Sequence, residues 1–245
     1  MEDANESLAI VIPAYNEERL IEKTVREWIE KLRNLKIDFK MHVYNDGSTD
    51  STFSRLEKLK HDYSELVIHN KKNSGHGPTI LFGYLDNCEC HWIFQTDSDR
   101  EMDPEYFNSL WENRKNYDFL IGCRDGRRQP LARKIVSVFS RMIVHAFYGK
   151  GVFDVNSPYR LMRVSVFKPY FSIIPTDTFA PNLIISGIAS LKKMRILECL
   201  VPQVGRKSGQ VTLDSSMRIL LKASFTSFVQ TIKFRFDICC NDARP

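Results

Sequence analysis

One stretch in the middle of the chain joins an apolar run to an acidic turn: Trp92-Ile93-Phe94-Gln95-Thr96-Asp97-Ser98-Asp99-Arg100-Glu101. The apolar run is typical of a buried strand in a parallel sheet. The three carboxylates after it can converge where the chain turns, at the edge of the sheet where open α/β folds bind ligands. Carboxylate oxygens suit Mg²⁺ or Mn²⁺. The stretch therefore predicts a metal site, and the alternative is a solvated acidic turn before a helix that begins near Pro104.

The sequence before this stretch repeats the same pattern three times. Predicted strands at Leu8–Pro13, Phe39–Tyr44 and Leu66–His69 are each followed by polar residues and then by a helical segment. The clearest helix follows the first strand. Its apolar residues recur every three or four positions, at Ile21, Val25, Trp28, Ile29 and Leu32. This spacing is that of one helix face. The alternation of strands and helices predicts an α/β fold with a mostly parallel, Rossmann-like sheet flanked by helices.

Length and composition fit one large domain followed by a tail. The chain has 245 residues, 43% of them hydrophobic, which is enough for a full core, and no low-complexity segment divides it. We expect a catalytic domain at 1–212 and a C-terminal helical tail at 213–245. The polar N-terminus predicts no signal peptide, and no apolar run is long enough to cross a membrane. The six cysteines lack zinc-binding spacing, so we expect reduced thiols.

Four motifs follow the four predicted strands in order: Val11-Ile12-Pro13-Ala14-Tyr15-Asn16-Glu17, Asn45-Asp46-Gly47-Ser48, Asn73-x-Gly75-x-Gly77 and Asp97-x-Asp99. In this order and spacing the chain resembles family-2 glycosyltransferases, which have the GT-A fold, up to about residue 210. It looks closest to the branch that contains dolichyl-phosphate mannose synthase and bacterial polyprenyl-phosphate glycosyltransferases. The family usually has two aspartates where this chain has Asn45-Asp46. A neutral amide can still form hydrogen bonds, so we expect an altered nucleoside contact and not a loss of function.

The resemblance implies an enzyme that transfers a sugar from a nucleotide-diphosphate sugar with inversion at the anomeric carbon. In the family, the first-strand loop and the Asp-Gly-Ser turn hold the nucleoside. Carried over, the nucleotide-sugar site comprises Pro13, Tyr15, Glu17, Asp46, Gly75 and Asp97. The metal ligands are Asp97, Asp99 and Glu101, the last at a position where related enzymes commonly have Gln. Asp97 and Asp99 are also assigned as catalytic, because the bound Mg²⁺ or Mn²⁺ neutralises the leaving diphosphate.

A later segment resembles the mobile loop that closes over the diphosphate in the family. Its sequence is Pro202-Gln203-Val204-Gly205-Arg206-Lys207-Ser208-Gly209-Gln210. We assign Arg206 as the catalytic cation that stabilises the departing diphosphate when the site is closed, with Lys207 as its substitute.

A basic segment after the fifth predicted strand supplies candidates for the acceptor site. Arg124, Arg133 and Ser137 resemble the residues that bind the lipid phosphate in the related enzymes. Arginine suits this role because its guanidinium donates two parallel hydrogen bonds to a phosphate. The alternative is a solvated basic loop. A hydroxyl acceptor would need a general base instead, for which Asp154 is the candidate, and the alternative for Asp154 is a capping or arginine-pairing role.

The stretch from Met217 to Phe236 is predicted to be a basic amphipathic helix. Its apolar face consists of Leu221, Phe225, Phe228, Val229 and Ile232. Such a helix can lie in the interface of a membrane, and the alternatives are docking on the domain or a contact in a homodimer. A membrane-embedded acceptor favours the interface. We therefore expect a cytoplasmic protein with peripheral contact to the cytoplasmic face of the membrane.

The expected function is that of a hexosyltransferase whose acceptor is polyprenyl phosphate. The first alternative is transfer to a glycan or glycolipid hydroxyl in the synthesis of cell-surface polysaccharide. The second is a non-catalytic relative that only binds a nucleotide sugar, and the retention of all three metal carboxylates argues against it. We expect no nucleic-acid partner. The net charge of +5 at pH 7 is compatible with anionic substrates or a lipid surface.

Overall fold

The computed structural model describes residues 6–125, 131–202 and 217–242. The elements in these ranges are β1 (Leu8–Ala14), α1 (Ile21–Asn34), β2 (Phe39–Asp46), α2 (Thr52–Lys60), β3 (Leu66–Lys71), α3 (His76–Asp86), β4 (Trp92–Gln95), α4 (Phe107–Asn113), β5 (Phe119–Asp125), α5 (Leu131–Tyr148), β6 (Arg160–Arg163), α6 (Val164–Phe171), α7 (Pro181–Leu191), β7 (Ile196–Pro202) and α8 (Met217–Asp242). The predicted strands are confirmed. The predicted ends of β1, β2, β3 and β5 are Pro13, Tyr44, His69 and Arg124, and each strand extends one or two residues beyond its predicted end.

The strands form one mostly parallel sheet in the order β3-β2-β1-β4-β6-β5-β7, which confirms the predicted fold class. Strands β1 to β4 are parallel, as are β5 and β7, whereas β6 runs antiparallel to its neighbours β4 and β5. β4 and β5 therefore point in the same direction. The carboxyl ends of all strands except β6 lie at one edge of the sheet, called here the ligand edge. The loops after Ala14, Asp46 and Gln95 meet there.

Strand β6 has no counterpart among the predicted strands. It has only four residues, and arginines at both ends obscure its apolar character. Arg160 is fully buried, and its guanidinium donates hydrogen bonds to the carbonyl oxygens of Val155, Ser157 and Asn182. These bonds compensate for the burial of the charge and fix the turn that leads into β6.

Two apolar cores lie on opposite faces of the sheet. β1 contributes to both, because Leu8, Ile10 and Ile12 face one core while Ala9 and Val11 face the other. A strand buried on both faces is a continuous apolar run, which is the pattern of the sequence there. Helices α1, α2 and α4 cover the first face, and α3, α5, α6 and α7 cover the second.

Helix α8 docks on the second face, against α5 and α7. Its buried side consists of Ser224, Ser227, Thr231, Phe234 and Ile238. Tyr148 of α5 donates a hydrogen bond to the carbonyl oxygen of Thr231 at 2.6 Å. Phe225 and Val229, which belong to the predicted apolar face, are exposed. The helix is thus attached to the domain through three hydroxyl residues together with Phe234 and Ile238, and it presents Phe225 and Val229 outward.

The described ranges contain no helix that is both long enough and apolar enough to cross a membrane. The predicted boundary at residue 212 lies outside the described residues. The described cysteines, Cys88, Cys90, Cys123 and Cys199, are free thiols.

Candidate active site

The loops that follow β1 and β2 at the ligand edge are joined by hydrogen bonds. The backbone N–H of Asn16 donates to Ser48 Oγ at 3.0 Å, and that of Glu17 donates to Thr52 Oγ1 at 2.8 Å. In return, the N–H of Thr49 donates to Asn16 Oδ1 at 2.8 Å. These bonds fix the β1 loop, which carries predicted nucleoside residues, against the β2 turn.

Three of the predicted nucleoside residues lie at the end of β1. Pro13 and Glu17 are buried, and Tyr15 is half-buried. Asn16, between the last two, has a left-handed backbone with φ 54°, which Asn tolerates better than most residues. The sharp bend at Asn16 places Tyr15 and Glu17 on the same short loop at the ligand edge. Their contact with a nucleoside stays a prediction.

Asp46 ends β2, and its carboxylate holds the following loop in place. It accepts hydrogen bonds from the backbone N–H groups of Ser74 and Gly75, both at 2.9 Å, and from the ammonium of Lys71. Burial raises the pKa of Asp46, but Lys71 and the Ser74 N–H outweigh burial and lower the pKa below its ordinary value. Gly75 has φ 95°, a conformation that side chains with a Cβ rarely adopt. The predicted pair Asp46 and Gly75 is therefore in direct contact.

Asn45 uses both the donor and the acceptor of its side-chain amide, at a position where the family that this chain resembles usually has aspartate. Its Nδ2 donates to Asn70 Oδ1 at 2.7 Å across the β2–β3 pair, and its Oδ1 accepts the N–H of Ser48 at 3.4 Å. An amide both donates and accepts, whereas a carboxylate only accepts. Asn45 thus links the ends of two strands to the β2 turn.

Asp97 follows β4 at the ligand edge and is partly exposed. Its Oδ1 lies 3.4 Å from Gln95 Nε2 and 3.6 Å from His76 Nε2. Gln95 is fully buried, and its Oε1 accepts hydrogen bonds from the Tyr84 hydroxyl at 2.9 Å and from Asn182 Nδ2 at 3.0 Å. Because these bonds occupy Oε1, the amide nitrogen of Gln95 faces Asp97. A buried network thereby orients the first predicted metal ligand.

The other two predicted metal ligands lie in the turn after Asp97. Asp99 Oδ1 accepts the backbone N–H of Glu101 at 3.0 Å, and Arg100 between them has a left-handed φ of 58°. The guanidinium of Arg100 points away from these acids and pairs with both carboxylate oxygens of Glu27 on α1. The turn is therefore anchored to α1 by the residue that separates the two carboxylates.

The three carboxylates do not form a compact ligand cluster. Across the described ranges, only one group of three His, Cys, Asp or Glu donors lies within 4.8 Å of one another, and it is on β2, β3 and α3. A divalent ion such as Mg²⁺ commonly uses one or two carboxylates together with substrate phosphates and waters. The hard oxygen donors at the ligand edge therefore fit an ion that binds with a diphosphate. Their roles as ligands stay predictions.

A cavity of about 610 Å³ opens beside the end of β5. It is lined by Cys123, Arg124, Val136, Ser137, Val138, Ser140, Arg141, Phe153, Asp154, Val155, Asn156, Glu198 and Leu200. Three predicted acceptor residues, Arg124, Ser137 and Asp154, are thus brought together. Phe153 and Leu200, which are 65% and 70% exposed, form an apolar rim. Charged groups inside an apolar rim suit an amphiphile with an anionic head.

Arg124 and Asp154 pair with each other inside this cavity. Nε and Nη2 of the guanidinium donate to the two carboxylate oxygens at 2.8 and 2.7 Å, and both side chains are largely buried. Burial lowers the pKa of Arg124, but the charges of Asp154, Asp97 and Glu101 outweigh burial and raise it. The arginine-pairing alternative for Asp154 is therefore observed. The pKa shift also indicates that the cavity lies within electrostatic range of the predicted metal ligands.

Arg141 projects into the same cavity from α5. Its guanidinium lies over the ring of Phe153, 4.1 Å from the ring centroid. No carboxylate in the described part of the chain pairs with it. The edges of this guanidinium therefore keep their donors for a ligand, because the stacked ring occupies only its face.

Three predicted cations lie outside the described residues. The side chain of Arg133, at the start of α5, is one of them. Arg206, the predicted lid cation, and its substitute Lys207 are the others, and they follow β7 in the sequence. Their assigned roles stay predictions.

Comparison with known proteins decides the family. The sequence model described as glycosyl transferase family 2 matches residues 9–171, which is more than half of the chain. The chain belongs to glycosyl transferase family 2. The matched segment covers β1 to α6 and includes Asp46, Asp97, Arg124 and Arg141.

Several relatives of this family-2 chain are informative. The undecaprenyl-phosphate 4-deoxy-4-formamido-L-arabinose transferase of Pseudomonas fluorescens is 24% identical over 87% of this chain and 62% of its own length. Glucosyl-3-phosphoglycerate synthase from Mycobacterium tuberculosis, in complex with Mn²⁺, UDP-glucose and glycerol 3-phosphate, has a TM-score of 0.66 at 17% identity and covers 94% of this chain and 80% of that one. TarS 1–349 from Staphylococcus aureus, in complex with UDP-GlcNAc, has a TM-score of 0.57 at 17% identity and covers 90% of this chain and 66% of that one.

These likenesses establish a GT-A-like α/β fold. This family-2 chain spans about half to three fifths of the length of the first curated relatives it matches.

The sequence gives only weak signals for some residues of the family-2 site. Arg141 is visible as a basic residue on the helix of Ser137, but helical spacing does not tell which side chains line a cavity. Glu198 accepts hydrogen bonds from the Cys123 thiol at 3.0 Å and from the N–H groups of Phe153 and Asp154. It lies 75 residues from Cys123, and nothing in the sequence pattern relates the two.

Proposed function

We propose that this chain is an inverting glycosyltransferase that moves a sugar from a nucleotide-diphosphate sugar to a lipid phosphate of the polyprenyl class. The observation that carries the acceptor assignment is the cavity beside β5, with buried charges and an apolar rim. Family membership supports the transfer reaction. The Mn²⁺ and UDP-sugars bound by the structural relatives support the donor class, and the undecaprenyl-phosphate relatives support the acceptor class.

The donor half of the site has the residues that this reaction needs. A divalent ion, either Mg²⁺ or Mn²⁺, would act on the diphosphate as a Lewis acid. Asp97 and Asp99 would hold it, with Glu101 as the third carboxylate. The network of Asp46 with Lys71 and Gly75 shapes the loop that faces the nucleoside. The lid cation Arg206 would complete the neutralisation of the leaving group.

The pairing of Asp154 favours a phosphate acceptor over a hydroxyl. A hydroxyl has to lose its proton to a base as it attacks, whereas a phosphate monoester oxygen is already anionic near neutral pH. Asp154, the candidate base, is engaged by Arg124 through two hydrogen bonds. A carboxylate held in this way is a weak base, because the adjacent guanidinium stabilises its ionised form. The site is thus better equipped to bind an anion than to deprotonate an alcohol.

Arg141 is the residue best placed to receive the acceptor phosphate. It lines the cavity with Ser137, and Phe153 fixes its guanidinium by stacking. Arg124 pairs with Asp154, and its remaining N–H donors and its positive charge would also act on the phosphate. The predicted role of Arg133 adds a third cation from the start of the same helix. An anionic head among these cations would leave its apolar chain at the rim formed by Phe153 and Leu200.

Replacing Arg141 tests this acceptor site. Arg141→Ala should raise the acceptor Michaelis constant ten- to a hundredfold, since a charge-assisted hydrogen bond is worth about 1.5–3 kcal/mol. Donor hydrolysis without acceptor should be nearly unchanged. Arg141→Lys should rescue only part of the loss, because an ammonium keeps the charge and loses the planar fork. Arg26→Ala, at a partly exposed arginine of α1, is the matched control.

Two outcomes would contradict the acceptor assignment. One is an unchanged Michaelis constant for polyprenyl phosphate in Arg141→Ala and in Arg124→Ala. The other is a large loss of transfer in Asp154→Asn combined with weak effects at both arginines. The second outcome would move the function to transfer onto a glycan or glycolipid hydroxyl.

We also propose that the protein contacts a membrane peripherally. The surface of α5 next to the cavity exposes Ile135, Val138, Phe139 and Met142. These four residues have the spacing of one helix face. A lipid acceptor reaches the cavity most directly if this face lies in the membrane interface. The comparisons lend no support to a homodimer, and the proposal does not include one.

A further inference from the structure

Two histidines and an aspartate meet on the second face of the sheet, away from the ligand edge. His42 is on β2, His69 is on the neighbouring strand β3, and Asp86 ends α3, which packs over these strands. His42 Nδ1 lies 3.0 Å from His69 Nε2, and His69 Nδ1 lies 3.6 Å from Asp86 Oδ2. One donor atom from each residue lies within 4.8 Å of the others. These three residues are called here the histidine cluster.

The histidine cluster is held by rigid surroundings. The Tyr44 ring stacks on His69 with a centroid distance of 4.2 Å, and its hydroxyl donates to Asp86 Oδ2 at 2.9 Å. Asn87 Nδ2 donates in turn to the Tyr44 hydroxyl at 2.9 Å. Backbone pairing of β2 with β3, in which Tyr44 lies opposite His69, fixes the spacing of the two imidazoles. Such orienting contacts around the donor atoms are typical of metal sites in proteins.

We propose that His42, His69 and Asp86 bind a transition-metal ion of the zinc class. Two imidazoles and one carboxylate are a donor set that Zn²⁺ takes with three protein ligands, leaving one position for water. Donor atoms of a tetrahedral zinc site are about 3.3 Å apart. The two close contacts of His69, at 3.0 Å and 3.6 Å, use its two different nitrogens. Imidazole prefers Zn²⁺, whereas the carboxylates at the ligand edge prefer Mg²⁺ or Mn²⁺. The proposal is independent of the proposed function.

The protonation state of the histidines suits a metal. Burial and the charge of His69 lower the pKa of His42 to about 4, with Lys40 adding to the shift and Asp86 opposing it. Burial also lowers the pKa of His69, again against the effect of Asp86. Both rings are therefore neutral near pH 7, and a neutral ring can offer a nitrogen lone pair to a metal without first losing a proton.

Binding requires one local adjustment. His69 now directs Nε2 toward His42 and Nδ1 toward Asp86, so a rotation of one imidazole ring has to bring a single nitrogen of His69 to face both partners. Both imidazoles are half-buried, and His69 lies on the edge strand β3. An ion bound there would connect β2, β3 and α3. We therefore expect it to stabilise the strands whose ends carry Asn45 and Asp46.

Zinc titration of the metal-free protein tests the proposal. The protein is treated with a chelator, and Zn²⁺ is added in the presence of excess Mg²⁺, which occupies the carboxylates at the ligand edge. We expect one Zn²⁺ per chain and a melting temperature that rises by roughly 5 °C or more at a zinc concentration a hundredfold above the dissociation constant. His42→Gln and His69→Gln should each weaken binding at least tenfold. His61→Gln, at an exposed histidine at the end of α2, is the matched control and should bind as the wild type does.

Co²⁺ provides a second readout that does not depend on the folding of any variant. Wild-type protein loaded with Co²⁺ should show the visible absorption of a four-coordinate ion with nitrogen and oxygen ligands. Thiolate-to-cobalt charge transfer would instead indicate binding by cysteines and would overturn the proposal. Equal zinc affinity in His42→Gln and wild type, or no zinc binding by the wild type, would overturn it as well.

Discussion

At the scale of single residues, two arginines of one cavity differ in what they can still bind. Arg124 is paired with Asp154 through two hydrogen bonds, whereas Arg141 stacks on the ring of Phe153 and pairs with no carboxylate among the described residues. A guanidinium that stacks on a ring is oriented without losing its charge or its donors. The sequence presents both as basic residues near one segment. Only the structure shows that Arg124 pairs with Asp154 whereas Arg141 stacks on Phe153.

Asp99 carries the first residue-scale prediction. Asp99→Ala should abolish transfer and the metal dependence of nucleotide binding, because the ion loses a carboxylate ligand. Stability should change little, since Asp99 lies outside the core in a partly exposed turn. Nucleotide titration with and without Mn²⁺ measures the effect, and the exposed Asp38→Ala is the control. Undiminished turnover would remove Asp99 from the mechanism.

Lys71 carries the second residue-scale prediction. Lys71→Met should lower the free energy of unfolding at pH 7 by about 1–3 kcal/mol, because the nearly buried Asp46 carboxylate loses its charged partner. The pKa of Asp46 is lowered, so its contribution is complete above the ordinary pKa of 3.8 and is lost as the pH falls through the lower pKa of the folded state. The difference between variant and wild type should therefore shrink below pH 3.8.

Urea unfolding of both proteins at pH 7 and at about pH 3 measures this difference. Lys72→Met, at the exposed neighbouring lysine, is the matched control and should leave stability nearly unchanged. A difference of the same size at both pH values would show that Asp46 is not the group stabilised by Lys71.

At the scale of elements, α5 and α8 pack together and both present apolar side chains outward. Phe139 and Met142 are exposed on α5, and Phe225 is exposed on α8. Lys222 and Lys233 of α8 are exposed as well, which adds cations for anionic lipid head groups. These features support the proposed peripheral contact of the two helices with a membrane.

The double variant Phe139→Ser with Met142→Ser tests this surface. It should reduce partitioning onto anionic vesicles at least tenfold, because inserting each such side chain contributes about 1.5–3 kcal/mol. Turnover with a short, water-soluble acceptor should be retained. Tyr106→Ser, an exposed aromatic residue next to α4 on the opposite face of the sheet, is the control. Equal vesicle binding by the double variant and the wild type would place the membrane contact elsewhere.

Some elements could be predicted from the sequence because their signals are local. Because β1 is buried on both faces, its sequence is one continuous apolar run. The buried residues of α1 recur with the spacing of one helix face. β6 could not be predicted, since its four residues include Arg160, whose burial depends on distant carbonyl groups. In β7, Glu198 interrupts the apolar residues, so its sequence is neither a continuous apolar run nor a strict alternation. Likewise, the location of the ligand edge could be predicted from the order of strands and helices along the chain. The pairing of Arg124 with Asp154 could not.

At the scale of the whole molecule, the sheet places the two proposed binding sites at one edge. The ligand edge carries the predicted donor residues, and the cavity proposed for the acceptor lies beside the end of β5. Because β4 and β5 run in the same direction with β6 between them, the predicted metal ligands and the predicted acceptor cation Arg124 share this edge. This arrangement agrees with the proposed transfer from a nucleotide sugar to a lipid phosphate.

Product analysis with a matched pair of acceptors tests the central claim most directly. The protein is incubated with Mn²⁺, a panel of nucleotide sugars and either a short polyprenyl phosphate or the corresponding polyprenol, which lacks only the phosphate. We predict a sugar–phosphate diester from one of the nucleotide sugars, with inverted anomeric configuration by NMR, and no product from the polyprenol. A glycosylated polyprenol or glycan, without any phosphate-linked product across the panel, would contradict the account.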